Sequence, residues 1–202
     1  MRARLGIAPK SARGIRKCAC GRGTDTSIYH AEVCSKNYGP SNRHNEVVRR
    51  LAQAFQEAGF LVQVEPKDAF INPPDGRHGD LLVNGFMGSD LLIDVSVVHP
   101  GKNVKRSANV PGWAMKDRDR LKRDHYQELC RTNHLYFIPF IMDAYGAIEG
   151  HALTLLKKLA TELAKENRNK PPWVPPNLAT SHASLPALPE LREVFTRLPS
   201  KI

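Results

Sequence analysis

The sequence lacks any apolar run long enough to form a membrane-spanning helix. Its basic N-terminal residues are not followed by the apolar segment of a secretory signal. Cysteine is also scarce: Cys18, Cys20 and Cys34 cluster, whereas Cys130 stands alone. Such a set is poor for disulfide pairing and better suited to metal binding. These absences argue against a membrane-spanning or secreted protein and predict a reducing compartment, either nuclear or cytosolic.

Positive charge, by contrast, is abundant. With 30 Lys and Arg against 20 Asp and Glu, the formal net charge is +10. A chain this basic is expected to bind a polyanion, and nucleic acid before a membrane surface. We therefore expect a nucleic acid, DNA or RNA, as the partner. At 202 residues the chain can form one domain with a core of its own, plus extensions.

Composition divides the chain into four segments. Residues 1–17 are basic and aperiodic and predict a flexible arm. Residues 18–40 contain the cysteine cluster, and residues 41–166 carry the periodic apolar pattern of a folded domain. Residues 167–202 begin with a proline-rich run, which favours an extended linker, and residues 188–198 are compatible with a short final helix.

Hydrophobic periodicity predicts three helices and four strands in the folded domain. Ser41 or Asn42 can cap the first helix, with Glu46 in its first turn. The expected fold class is α/β, with a sheet covered by helices on both faces. In chain order the predicted elements are a helix at 41–58, strands at 60–65, 78–84 and 91–98, a helix at 113–131, a strand at 135–140 and a helix at 148–165.

A zinc-ligand set lies near the N-terminus. Cys18, Cys20, His30 and Cys34 supply three thiolates and one imidazole, which complete a tetrahedral Zn²⁺ site. Gly21 lets the first loop bend tightly enough to bring two close sulfurs together. The alternative is a chance grouping of free cysteines near a surface histidine.

Two carboxylates interrupt apolar strands. Asp94 lies inside the predicted strand at 91–98, and Asp80 lies on the strand before it, joined by a turn at 85–89. Two facing carboxylates repel each other unless a divalent cation such as Mg²⁺ separates them. On its strand Asp94 shares a face with Ser96. The alternative is an Asp94 that caps the strand or pairs with an arginine.

The helix at 113–131 contributes a cation to the same region. Lys122 lies on its core-directed side, and Tyr126 follows one turn later within reach of Lys122. A lysine at such a position either extends its ammonium to solvent or serves a site. By helical spacing, the core-directed face comprises Ala114, Met115, Arg118, Leu121, Lys122, Tyr126 and Leu129.

In combination these residues resemble the restriction-like endonuclease domain of site-specific non-LTR retrotransposon proteins, which has the PD-(D/E)xK nuclease fold. The resemblance covers residues 18–165 and implies an α-β-β-β-α-β core, with helices flanking a mixed sheet, preceded by a small zinc knuckle. The matching motifs are Cys18, Cys20, His30 and Cys34; Arg43-His44-Asn45; Arg77-His78-Gly79-Asp80; Asp94-Val95-Ser96; Lys122 with Tyr126; and Phe137-Ile138-Pro139-Phe140.

The sequence departs from the family pattern at three places. Gly79 replaces the proline that precedes the first Asp, and Arg77 is one position further from that Asp than in the family motif. Ser96 stands where orthodox restriction enzymes have lysine. The family moves that lysine to the following helix, where Lys122 matches it.

The resemblance implies metal-assisted hydrolysis of a DNA phosphodiester. Asp80 and Asp94 would hold Mg²⁺, Lys122 would neutralise charge in the transition state, and Tyr126 would position Lys122. Glu46 and Glu65 are weaker candidates for a further metal contact. The residues expected to bind the DNA backbone are Lys102, Lys105, Arg106, Arg118, Arg120 and Arg123.

Two other functions remain compatible with the sequence. One is a catalytically inactive, zinc-containing nucleic-acid-binding protein derived from a retroelement. The other is an interaction module in which Lys122 and the aspartates form a buried ion pair. Dependence on a divalent metal distinguishes the nuclease from both, and salt-dependent nucleic-acid binding distinguishes the two from each other.

Overall fold

The structure is a computed structural model that describes the central part of the chain continuously, apart from two gaps. The described ranges are 39–71, 78–99 and 109–169, together with the isolated residues Cys18, Cys20, Gly21, Cys34 and Lys36. The arm at 1–17, the ligand His30 and the final segment from residue 170 lie outside the described residues. Within the described part, no helix is both long and apolar enough to cross a membrane.

The elements follow the predicted order of helix, three strands, helix, strand and helix. They are α1 (Gly39–Glu57), β1 (Val62–Val64), β2 (Leu81–Phe86), β3 (Ser89–Val98), α2 (Trp113–Thr132), β4 (Tyr136–Asp143) and α3 (Gly150–Asn169).

The predicted start of the first helix is wrong. Helix α1 begins at Gly39, so Ser41 and Asn42 lie inside it and Glu46 is not in its first turn. Pro40 accounts for the earlier start, because the fixed φ of proline suits the first turn of a helix.

The four strands form one mixed sheet in the order β1-β2-β3-β4. The β1–β2 and β2–β3 pairs are antiparallel, and β3–β4 is parallel. The predicted hairpin is confirmed, and its turn residues Met87 and Gly88 both have positive φ, which matches the twist of the flanking strands. Pro139 pairs with Asp94 from β4, an edge strand, where a missing backbone N–H is tolerated.

Side chains that alternate along β3 pack into two separate hydrophobic cores, one on each face of the sheet. Leu91, Ile93 and Val95 pack with α1 and α3 on one face of the sheet. Leu92 packs on the other face with Tyr126 and Cys130 of α2. The sheet therefore has helices on both faces, as predicted, and Asp94 follows the parity of Leu92 toward α2.

Helix α2 buries a narrower stripe than the sequence predicts. Its buried residues are Tyr126 and Cys130. Lys122 continues this stripe one turn earlier, whereas Leu121 is 44% exposed, so its predicted place on the core-directed face is wrong. Cys130, which has no nearby cysteine in the sequence, is a buried free thiol, and burial raises its pKa to about 12.

Candidate functional site: two aspartates, a lysine and a histidine

Backbone hydrogen bonds to two neighbouring segments hold Asp80 in place. Its N–H donates to the Ile93 carbonyl at 2.9 Å, and its carbonyl accepts from the Glu65 N–H at 2.9 Å. Its carboxylate Oδ2 accepts a hydrogen bond of 2.6 Å from the Val95 N–H. The side chain is therefore held against β3 next to Asp94, because backbone bonds set both its position and its direction.

Asp94 is the one charged residue among the buried side chains of the described chain, at 4% exposure. Its Oδ2 lies 2.7 Å from the Lys122 ammonium. Burial raises the pKa of the Asp94 carboxyl above its ordinary 3.8, the Lys122 charge opposes that shift, and the Asp80 charge adds to it. The two aspartates and the lysine thus interact within one site, as the sequence predicts.

Tyr126 contacts this site from the buried side of α2. Its hydroxyl donates to the His78 carbonyl at 3.1 Å and also interacts with the Asp94 carboxylate. One hydroxyl proton serves one acceptor at a time, so the two contacts compete. The ring lies 5.7 Å from the Lys122 ammonium and packs against Phe70 and Phe137. Tyr126 therefore touches both members of the Lys122–Asp94 pair.

His44 is a member of the site to which sequence reasoning assigned no role. Its Nε2 lies 3.3 Å from Asp80 Oδ1. The hydrogen bond to Asp80 raises the pKa of His44 above its usual 6.5, although burial opposes the shift. The motif Arg43-His44-Asn45 marked this position, but only the tertiary fold brings α1 to the start of β2.

These side chains suit a divalent cation. Aspartate oxygens are the hard ligands that Mg²⁺ prefers, and it commonly takes one or two carboxylates. Burial is the main cause of the raised pKa of Asp94, and repulsion by the Asp80 carboxylate adds to it. A cation between the two carboxylates would relieve that repulsion. Lys122 contacts Asp94 and His44 contacts Asp80, so each neutralises part of the negative charge of the two aspartates.

Glu46 and Glu65 were proposed for a further metal contact, but neither side chain pairs with Asp80 or Asp94. Glu46 binds Arg49 and Arg50 on α1, at 2.7 Å and 2.8 Å, and the Arg49 hydrogen bond lowers the pKa of Glu46 to about 2. Glu65 lies next to Asp80 through a backbone hydrogen bond, with an exposed side chain.

The cysteine cluster forms a second metal-binding group. Cys18, Cys20 and Cys34 have sulfur atoms that all lie within 4.8 Å of one another, and Cys18 Sγ is 3.5 Å from Cys34 Sγ. Zn–S bonds of about 2.3 Å in a tetrahedron separate sulfurs by roughly 3.8 Å, so these three thiols suit Zn²⁺. The fourth predicted ligand, His30, lies outside the described residues.

A third group of potential ligands was missed by sequence reasoning. Asp119, Glu149 and His151 place their ligand atoms within 4.8 Å of one another where α2 meets the start of α3. Arg123 already binds Asp119, at 2.9 Å. The group could hold a metal ion, and the His151 Nδ1 atom, 3.5 Å from Asp119 Oδ1, already joins α3 to α2.

The basic residues predicted to bind DNA differ in their surroundings. Arg120 binds Asp117 and Asp124, and Arg123 binds Asp119. Arg118 is half-buried and forms no ion pair with a described residue. The remaining three, Lys102, Lys105 and Arg106, lie outside the described residues.

A steric constraint accounts for glycine at position 79, directly before Asp80. A Cβ at this position would lie 2.7 Å from Leu92 Cγ and 3.1 Å from the Ile93 carbonyl oxygen. Leu92 is fully buried, so it has no room to move aside. Close approach of the Gly79 backbone to β3 therefore requires glycine.

The chain matches no protein-family model and no curated protein sequence.

Proposed function

We propose that the protein is a metal-dependent DNA endonuclease with a PD-(D/E)xK core, similar to the target-nicking domain of non-LTR retrotransposon proteins. The observation that supports this most strongly is the convergence of Asp80, directly before β2, with Asp94 of β3 and Lys122 of α2. A net charge of +10 further supports a polyanionic substrate.

In this function Asp80 and Asp94 would hold Mg²⁺, and the ion would supply activation of the attacking water and stabilisation of negative charge. Val95 and His44 fix the two oxygens of Asp80, so that its carboxylate is oriented in advance. Lys122 places one positive charge beside Asp94, where it can stabilise charge that develops on the phosphate. Burial of Asp94 limits water at the site and strengthens both interactions.

The test is nicking of supercoiled plasmid with and without Mg²⁺. Asp80→Ala removes a metal ligand and should abolish nicking while DNA binding is kept. Asp68→Ala removes an exposed carboxylate in the loop after β1 and is the matched control, which should nick like the wild type. Equal nicking by wild type and Asp80→Ala would exclude Asp80 from the reaction.

One observation favours a second candidate, the non-catalytic nucleic-acid-binding protein. Lys122 is already paired with Asp94 at 2.7 Å, as a structural ion pair would be. In that case the protein binds DNA or RNA in a salt-dependent manner and shows no nicking with any divalent cation.

A further inference from the structure

A cleft of about 430 Å³ runs between α1 and β1 and ends at His44 and Asp80. Its volume is near the lower end of the range of about 300–1,000 Å³ for small-molecule pockets. One nucleotide unit fits such a space, whereas a longer stretch of DNA does not. Because the cleft opens beside Asp80, a group bound in it would lie next to the proposed scissile phosphate.

The walls of the cleft combine an apolar floor with amide groups. Val48 and Ala52 form part of the floor and are 7% and 6% exposed. Asn45, Gln53 and Gln56 line the same cleft from α1. A flat apolar surface with a few convergent polar groups suits a nucleobase. The side chains of Asn and Gln form hydrogen bonds with base edges, most typically with that of adenine.

One of these amides is held in place from outside the cleft. The Gln53 Nε2 donates to Glu57 Oε1 at 2.8 Å. Glu57 is not part of the cleft lining, so this bond fixes the Gln53 carboxamide without filling the space. A fixed amide discriminates among bases better than a mobile one, because less conformational entropy is lost on binding.

The charges around the cleft favour an uncharged occupant. Asp80 and Glu65 place carboxylates at one end. Arg49, which also lines the cleft, has its guanidinium bound by Glu46 at 2.7 Å. A phosphate would be repelled by the carboxylates, whereas a neutral base would not.

We propose that this cleft is a nucleobase subsite, which takes the base of the nucleotide flanking the scissile phosphate and reads its edge through Gln53 and Gln56. The inference rests on the proposed function, since it places the phosphate at Asp80 and Asp94. It adds that the enzyme selects the base next to its cleavage site. A bound base also orients the phosphate at the metal-binding aspartates.

The test is NMR of the full-length ¹⁵N-labelled protein with four single-stranded hexanucleotides that differ in one central base, without divalent metal. The side-chain amide signals of Gln53 and Gln56 should shift, and the affinity for the best base should exceed that for the worst by about 5- to 150-fold. Gln53→Ala and Gln56→Ala should flatten that preference, whereas Gln127→Ala, on the exposed side of α2, should retain it.

A variant that narrows the cleft provides a second test of the proposed subsite. Val64 lines the cleft and is 51% exposed, so Val64→Phe narrows the cleft from its rim without entering the core. It should remove base discrimination, whereas Val110→Phe, at a 43% exposed position outside the cleft lining, should not. Equal shifts with all four bases, or none, would overturn the subsite.

The nuclease and the nucleobase subsite can be refuted by different results. Base-specific shifts without Mg²⁺-dependent nicking would refute the nuclease, and the cleft would then bind a base without selecting a cleavage site. Nicking without any preference for the flanking base, together with base-independent shifts, would keep the nuclease and refute the subsite.

Discussion

The Lys122 ammonium lies 2.7 Å from Asp94 Oδ2, which joins helix α2 to strand β3 on the face of the sheet that α2 covers. Asp94 is the one charged residue among the buried side chains of the described chain. Both the stability of the domain and its proposed chemistry depend on the charge at this position.

Asp94→Asn should abolish nicking and at the same time stabilise the metal-free protein. The pKa of Asp94 is raised above 3.8, so the native state loses stability as pH rises through that raised pKa. The wild type therefore loses stability as pH rises above 3.8, whereas the variant, whose amide does not ionise, does not. We expect the Tm in EDTA to rise by about 2–4 °C, the shift that about 1 kcal/mol produces in a chain of this size. The difference should shrink as the pH falls toward 4, and a variant that melts below wild type at pH 7 would contradict it.

Lys122→Ala should lower the single-turnover cleavage rate by about 10²- to 10³-fold, as expected for loss of one charge-stabilising donor. Tyr126→Phe keeps the ring that packs on Phe70 and removes only the hydroxyl. It should change the rate much less and reduce the free energy of unfolding by about 1 kcal/mol. Full activity in Lys122→Ala would show that this ion pair is only structural.

Glu46→Gln should destabilise the protein at neutral pH and have little effect in acid. The pKa of Glu46 is about 2, below its ordinary 4.5, because Arg49 and Arg50 bind it. Its contribution is therefore present above pH 4.5 and lost as pH falls through about 2. These are surface contacts, so we expect a loss of about 0.5–1 kcal/mol in urea unfolding at pH 7. A loss that is equally large at pH 2 would point to packing rather than charge.

Purified protein should contain one zinc ion per chain, as measured by elemental analysis. The thiols of Cys18, Cys20 and Cys34 lie within 4.8 Å of one another, and loss of one thiolate should abolish stable binding. Cys18→Ser is the test, and Cys130→Ser, which alters a buried thiol on α2, is the control. Zinc in both variants, or in neither, would refute the assignment.

Arg118→Ala should reduce the salt dependence of DNA binding more than Arg120→Ala does. Arg120 already binds Asp117 and Asp124, whereas Arg118 forms no ion pair with a described residue. Loss of one phosphate contact lowers the slope of log affinity against log salt by about 0.9. Equal slopes in wild type and Arg118→Ala would remove Arg118 from the interface.

The order of helices and strands could be predicted because hydrophobic periodicity is a local property of the chain. The meeting of Asp80 and Asp94 was also predictable, since a hairpin turn fixes which strands are neighbours. Lys122 could be assigned to the core-directed side of its helix by spacing alone. Each of these inferences depends only on residues that are close in the sequence, or on the hairpin turn between β2 and β3.

The remaining features depend on how the elements pack. The exposure of Leu121 follows from the rotation of α2 about its axis, which the sheet decides. The contact of His44 with Asp80 joins α1 to the start of β2, and no spacing rule connects those positions. The same holds for His151 and Asp119, which meet only because α2 and α3 begin close together.

The tight contact of Gly79 with Leu92 links two positions that a sequence motif treats separately. A proline before Asp80 would need room that Leu92 occupies. Placing proline at position 79 should therefore require a smaller residue at position 92, and the two changes should be tolerated only together. The residue buried at position 92 thus limits which residues can stand directly before Asp80.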